Sequence, residues 1–205
     1  MQESLRPRVA IRPLPDGLRL VAGTGCASPG PPSVVAAVVL LSLPDLETVG
    51  EAHARAEASF AYVPGLLAFR EAPALIRALD SLPVRPDVLL CHAHGLAHPR
   101  RFGLACHLGV LLDMPAVGCA RSLLVGSHEP VPLPRGARAD VVDADEVVGS
   151  ALRTRSDVAP VYVSVGHRTD LETAEGLVLD CSPTFRIPEP LRRAHQLAAA
   201  ILAEG

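Results

Sequence analysis

The stretch PDVLLCHAHGLAHPRRFGLACHLGVLLDMPAVGCA, from Pro86 to Ala120, decides the predicted fold. It begins with a short apolar run of strand length, Pro86–Cys91, which continues into a histidine-rich loop. An apolar helix is predicted over Leu104–Leu112, and it stops before Pro115, where a second apolar strand begins. A strand, a helix and a further strand in this order are typical of the α/β class.

The flanking segments predict more strands before this stretch and more helices after it. Arg19–Cys26 and Ser33–Leu43 read as buried strands, and the polar alternation that follows predicts an edge strand. Strands that come first as a meander and then alternate with helices predict one mixed sheet flanked by helices. The remaining predicted elements are a helix over Glu71–Leu82, a hairpin over Arg135–Val148, a strand over Pro160–Gly166, a helix over Thr169–Leu179 capped by Thr169 or Asp170, and a helix over Pro188–Ala203.

Length and composition predict one globular domain. The chain has 205 residues, of which 49% are hydrophobic. We expect a short Pro-rich lead over residues 1–17 and a single domain over residues 18–205. No apolar run approaches the ~20 residues of a membrane span, and no secretory signal is evident. The five cysteines lack paired spacing, so reduced thiols and a cytoplasmic location are expected.

The charge pattern weakly disfavours a nucleic-acid partner. The formal net charge is −3, and the chain contains arginine but no lysine, which suggests a GC-rich bacterial genome. Phosphate binding normally leaves a basic footprint, and none stands out in the sequence. Aromatic residues, which stack on bases, make up only 3% of the chain.

Three longer segments carry a family resemblance. They are YVPGLLAFREAP (Tyr62–Pro73), the stretch from Pro86 to Gly126, and GSALRTRSDVAPVYVSVGHRTDLETA (Gly149–Ala174). Together they resemble the endonuclease V family from about Arg19 onward. The resemblance implies a ribonuclease H-like mixed sheet flanked by helices, and cleavage near deoxyinosine or inosine with a divalent metal. It also implies an N-terminal helix, for which only the short lead is available here.

The resemblance implies a metal site of two aspartates and one glutamate. The glutamate is present as Glu71, whereas the two aspartate positions carry Gly25 and His92. The family's lysine is replaced by Arg121, and a later histidine is kept as His167. We therefore take Glu71, His92, His167 and Arg121 as the candidate catalytic residues.

The resemblance also implies a pocket for a flipped base. The family glycine beside the second aspartate is Ala93 here, and its extra methyl group is expected to hinder close approach of a base. The wedge keeps Tyr62 and Pro64. The predicted pocket residues are Gly25, Tyr62, Pro64, Ala93, His94, Gly95 and His98.

Mg²⁺ prefers carboxylate and water oxygens, so one remaining carboxylate predicts that Mg²⁺ is disfavoured and that ordinary cleavage is lost. Two uses of the remaining groups stay open. In the first, a metal site for Fe(II) or another divalent transition metal is formed by Glu71, His92 and His167. In the second, the pocket is the remnant of a former metal site, and His92 is only hydrogen-bonded. Without a metal, Glu71 and His92 can still act as an acid/base pair.

The leading hypothesis from the sequence is a pseudoenzyme with a degenerate metal site. Recruitment to small-molecule chemistry in bacterial specialised metabolism is one form of it, and a subunit of a heteromeric complex is the other. The prediction includes a protein partner or a homo-oligomer. The alternatives are a weakened metal-dependent endonuclease at deoxyinosine or inosine sites, and a module that binds such a lesion without cutting.

Overall fold

The computed structural model describes residues 1–30, 33–57 and 63–204. Within these residues eight strands form one sheet in the order β3-β2-β1-β4-β5-β8-β7-β6. The strands are β1 (Leu20–Gly30), β2 (Ser33–Ser42), β3 (Thr48–Glu57), β4 (Val88–Cys91), β5 (Ala116–Ala120), β6 (Arg138–Asp143), β7 (Glu146–Leu152) and β8 (Val161–His167). The predicted mixed sheet of an α/β protein is confirmed.

The direction of the strands determines which chain segments meet at each edge of the sheet. Strands β1, β2 and β3 are antiparallel neighbours, whereas β1, β4 and β5 run parallel to one another. Strand β8 runs antiparallel to β5, and β7 and β6 continue in alternating directions. The carboxyl ends of β4 and β5 therefore meet at one edge, where His92 and Arg121 follow directly.

Helices cover both faces of the sheet. They are α1 (Gln2–Leu5), α2 (Leu67–Asp80), α3 (Leu104–Leu112), α4 (Leu171–Asp180) and α5 (Glu189–Ala203), with a 3-10 turn at Arg6–Arg8. Helix α2 begins at Leu67, four positions before the predicted start at Glu71, and it contains Pro73. Its buried alanines and Leu75 pack on the sheet, and this burial outweighs the hydrogen bond that the proline removes. Helix α4 has the predicted cap, because the Asp170 side chain accepts a hydrogen bond from the Thr173 N–H.

Two apolar layers hold the helices to the sheet. Helices α2 and α3 pack on the layer that contains Ala22 and Leu89, and α4 and α5 pack on the layer that contains Val21 and Leu90. Successive side chains of a strand point to opposite faces, so β1 serves both layers alternately. Gly25 consequently faces α5.

The N-terminal lead packs against the domain. The Arg12 N–H donates to the Thr169 carbonyl, and the Leu14 N–H donates to the Thr173 hydroxyl. Leu5 and Val9 pack beside the small buried cluster around Phe102. The lead thus covers apolar surface beside this cluster.

All five cysteines are free thiols, as predicted. Along the described part of the chain, we find no helix with the length and apolar character needed to cross a bilayer.

Candidate active site

Glu71 lies in a small cavity of about 70 Å³ whose other lining residues are Thr24, Gly25, Cys26, Leu67 and His92. Burial raises the pKa of the Glu71 carboxyl to about 7, although a hydrogen bond with the Cys26 thiol and the charge of Arg70 act in the opposite direction. Burial also raises the pKa of Cys26, so this thiol stays protonated. The pair is therefore a carboxyl that titrates near neutral pH beside a neutral thiol.

His92 lies directly after β4 and lines the same cavity as Glu71 of α2 and Thr24 of β1. Its backbone N–H donates to the Thr24 hydroxyl over 3.4 Å. Burial lowers the pKa of the imidazole to about 4, and the positive charge of Arg121 acts in the same direction. At neutral pH His92 is an uncharged imidazole that can accept a proton.

Arg121 follows β5 and has an exposed side chain. Its backbone carbonyl accepts a hydrogen bond of 2.9 Å from the Arg186 guanidinium, which anchors this position in the loop. Since the charge of Arg121 influences His92, the guanidinium is a cation beside the candidate catalytic cavity.

A second cavity of about 120 Å³ adjoins the first and shares Leu67 with it. An engineered apolar cavity of about 150 Å³ holds benzene, so this smaller space takes at most one ring of a base, and the rest of a two-ring base extends toward its opening; we call it the ring-sized cavity. Apolar side chains and a few polar groups line it: Gln2, Gly65, Leu67, Ala68, Ala93, His94, His98, Gly103, Leu104, Ser122, Leu123 and Leu124.

Two histidines in this cavity are neutral and held by backbone groups. His94 Nε2 lies 2.9 Å from the Ser122 carbonyl, and His98 Nε2 lies 3.1 Å from the Gly65 carbonyl. His98 Nδ1 accepts from the Arg100 N–H at 3.1 Å, which assigns the proton of this ring to Nε2. Burial lowers the pKa of both histidines, and for His98 it reaches about 4.

The other predicted pocket residues divide into three groups. Ala93 lines the ring-sized cavity. Gly95 instead packs behind it, where a Cβ atom would lie 1.9 Å from the Val165 carbonyl oxygen. Pro64 is exposed in the turn before α2 and does not line this cavity, whereas Tyr62 lies outside the described residues.

His167 does not join Glu71 and His92, so this part of the predicted set is wrong. It ends β8 and pairs with Ala116 at the beginning of β5, because the two strands are antiparallel. This is the edge of the sheet opposite to His92. There, His167 Nδ1 accepts from the Ala10 N–H at 3.2 Å, and Nε2 lies 3.7 Å from Asp113.

Comparison with known proteins agrees with this fold. The Endonuclease V family model matches residues 3–196. An Endonuclease V of Roseiflexus castenholzii is 52% identical over 199 residues, which cover 97% of this chain and 89% of the relative. The chain belongs to the endonuclease V family.

Solved structures of this family superpose closely on the chain. The crystal structure of Endonuclease V from Streptomyces avermitilis has a TM-score of 0.95 at 48% identity, covering 99% of this chain and 90% of that chain. Endonuclease V of Ciona intestinalis, in complex with a 24mer DNA containing an inosine followed by a ribo-adenosine, has a TM-score of 0.85 at 28% identity. That match covers 99% of this chain and 95% of the Ciona protein.

This membership corrects the leading hypothesis from the sequence. The interpretation as a pseudoenzyme with a degenerate site, recruited to biosynthesis or to a heteromer, is wrong. Relatives that share about half of their residues with this chain over most of its length are named Endonuclease V. Similarity of fold does not by itself fix an activity, so the departures at Gly25 and His92 bear on the chemistry of the site and not on membership of the family.

The side chains at the candidate site do not fit Mg²⁺, however. Mg²⁺ needs near-octahedral oxygen coordination, with carboxylates as its usual protein ligands. Here the cavity offers one carboxyl, Glu71, beside a thiol and the neutral imidazole of His92. Across residues 1–30, 33–57 and 63–204, no group of three or more His, Cys, Asp or Glu side chains is arranged to hold a metal ion. The predicted transition-metal site of Glu71, His92 and His167 is accordingly absent from this part of the chain.

Sequence reasoning missed His195. This residue lies on α5, and its ring centroid is 5.9 Å from that of His92 in an edge-on arrangement. Its Nδ1 atom is buried and has no hydrogen-bond partner among the residues that the structure describes. The only signal in the sequence was a histidine on a predicted amphipathic helix, and such a residue cannot be assigned to a site without the packing of that helix.

The neutral state of His98 predicts that acid destabilises the fold. The His98 imidazole takes up a proton near pH 6.5 in the unfolded chain but only near pH 4 in the folded chain. Its contribution to the free energy of unfolding is therefore fully present above pH 6.5 and decreases as the pH drops toward 4. A proton on Nδ1 would also oppose the Arg100 N–H. We expect a smaller drop in the urea midpoint between pH 7 and pH 5 for His98→Asn than for the wild type. If the urea midpoint drops equally in His98→Asn and in the wild type, this role of His98 is contradicted. His53→Asn, at an exposed position of the edge strand β3, serves as the control.

Proposed function

We propose that the chain is a weakened endonuclease that acts at inosine or deoxyinosine sites in nucleic acid, in the bacterial cytoplasm. One observation carries the proposal: a ring-sized cavity adjoins the cavity that contains Glu71 and His92, with Leu67 common to both. An enzyme that acts beside a particular base needs such an arrangement, because the base must leave the stack and occupy a close-fitting pocket.

The lining of the ring-sized cavity suits an uncharged base. Leu67, Ala93 and Leu104 supply apolar walls, and polar side chains are few. Both of its histidines are neutral at pH 7, because burial lowers the pKa of each. A neutral flat ring therefore enters without leaving a buried charge unpaired.

The neighbouring groups are suited to acid/base chemistry at a phosphate. Glu71, with a pKa of about 7, holds a proton in part of the molecules at neutral pH, and His92 is able to accept one. The exposed cation of Arg121 offers charge to a phosphate oxygen. Weak cleavage is expected, because one carboxyl cannot provide the transition-state stabilisation of a full carboxylate site.

Cleavage of matched oligonucleotides tests this proposal. We expect slow cleavage of strands with one inosine, followed either by deoxyadenosine or by ribo-adenosine, and none of strands with adenosine in its place. Glu71→Ala should remove the activity, whereas Glu51→Ala, at an exposed position of β3, should retain it. If the protein binds and cleaves inosine strands and adenosine strands equally well, the proposal is refuted. Inosine-specific binding without any cleavage would replace it by a lesion-binding module.

A further inference from the structure

The side chain of Gln2 is buried between two loops that are distant in sequence. It is 5% exposed, although it belongs to the first turn of the chain. Its Nε2 atom donates to the Gly65 carbonyl at 3.0 Å and to the Phe102 carbonyl at 3.1 Å. Its Oε1 atom accepts from the Arg100 guanidinium at 3.3 Å. Both amide protons and the amide oxygen are thus in use.

Both loops that Gln2 joins contribute to the lining of the ring-sized cavity. Gly65 precedes α2, has a φ of +80°, and lines the cavity. Phe102 precedes Gly103, which begins the turn into α3 and also lines the cavity. The Gly65 carbonyl is also the partner of His98, so a shift of this loop would displace a second lining residue. Gln2 itself forms part of the lining.

We propose that Gln2 is a positioning residue that determines how selectively this cavity accepts the base. The inference rests on the proposed function, because it assigns a role in the same cavity. The amide holds the loops of Gly65 and Phe102 at the separation that fits one ring. No other side chain of this length offers two donors and one acceptor in this arrangement, so replacement leaves buried carbonyl groups unpaired.

The test replaces the amide while keeping the length of the side chain. Gln2→Met removes both donors, and Gln2→Glu places a carboxylate against two carbonyl oxygens. Ser4→Met introduces the same new side chain at an exposed position of the same helical turn and serves as the matched control. Affinity for inosine and adenosine oligonucleotides is measured at several salt concentrations, with the active fraction determined by titration.

We expect the ratio of inosine to adenosine affinity to fall about tenfold in both Gln2 variants, which corresponds to about 1.4 kcal/mol. The dependence of affinity on salt should stay the same, since contacts with phosphate do not involve this amide. A merely structural role would lower the active fraction or the melting temperature and leave this ratio unchanged. Gln2→Asn keeps an amide on a shorter side chain; it is used if the longer variants do not fold, and it should lose selectivity as well.

The outcomes separate this inference from the proposed function. If the wild type itself shows no preference for inosine, the proposed function is refuted, and the role of Gln2 with it. If the wild type prefers inosine and Gln2→Met keeps the ratio within about twofold, the inference is overturned while the proposed function stands.

Discussion

Changing His92 to aspartate is expected to raise Mg²⁺-dependent cleavage of inosine-containing strands by at least ~10-fold, the scale on which metal-site partners affect activity. The aspartate would place a second carboxylate in the cavity that already holds Glu71, at the end of β4. It also removes a neutral imidazole, which is a poor ligand for Mg²⁺. The exposed cation of Arg121 lies close enough to affect this position, so the new negative charge is partly balanced.

The measurement is the initial rate of cleavage over a series of Mg²⁺ concentrations. His53→Asp, at an exposed position of β3, adds the same charge far from the cavity and should leave the rate unchanged. Adding Glu71→Gln to His92→Asp should remove the gain, because only one carboxylate then remains. No increase at any Mg²⁺ concentration would show that the identity of residue 92 does not limit the reaction.

Replacing Gly25 by alanine is expected to destabilise the protein by roughly 1–3 kcal/mol, the usual range for overpacking a core. A Cβ atom at this position would lie 2.5 Å from the His195 backbone nitrogen and 2.6 Å from the Ala194 carbonyl carbon. Both atoms belong to the backbone of α5, so no side-chain rotation relieves the contact. Helix α5 must move away from β1, which costs apolar burial around Ala194 and Leu191.

Denaturant unfolding of Gly25→Ala beside Gly176→Ala tests this prediction. Gly176 lies in α4, and a Cβ atom there would meet nothing within 4 Å, so its replacement should stabilise the helix by ~0.5–1 kcal/mol. Equal stability of Gly25→Ala and the wild type would mean that α5 can retreat without cost. The same contact implies that Gly25→Asp cannot simply restore a carboxylate, because its Cβ meets the same backbone.

Much of the fold was predictable because the apolar pattern of each element is local. The run Ser33–Leu43 became β2, and Leu104–Leu112 became α3 with the predicted bounds. The start of α2 was predicted at Glu71, but the helix begins at Leu67. A proline normally occurs only in the first turn of a helix, whereas here the burial of α2 against the sheet keeps Pro73 within the helix. The acidic balance of the chain does not by itself predict whether nucleic acid is a partner, because binding of nucleic acid depends on local charge rather than on the sum.

The candidate site was predictable only where its residues belong to one continuous motif. Glu71 and His92 were identified from the segments around them, and the structure places both in one cavity. His167 was included although β8 carries it to the other edge of the sheet. His195 and Gln2 were missed, since α5 brings His195 beside His92 and the first turn brings Gln2 into the ring-sized cavity, each from an end of the chain.

The order of residues along the chain was sufficient to establish the family, the mixed sheet and the loss of carboxylates at Gly25 and His92, because these depend on residue identity and local pattern. The partners of those residues depend on how distant segments pack. Helix α5 places its backbone against Gly25 and His195 beside His92, and the first turn inserts Gln2 between two loops. Such contacts arise from close packing across the sheet, which no local pattern encodes.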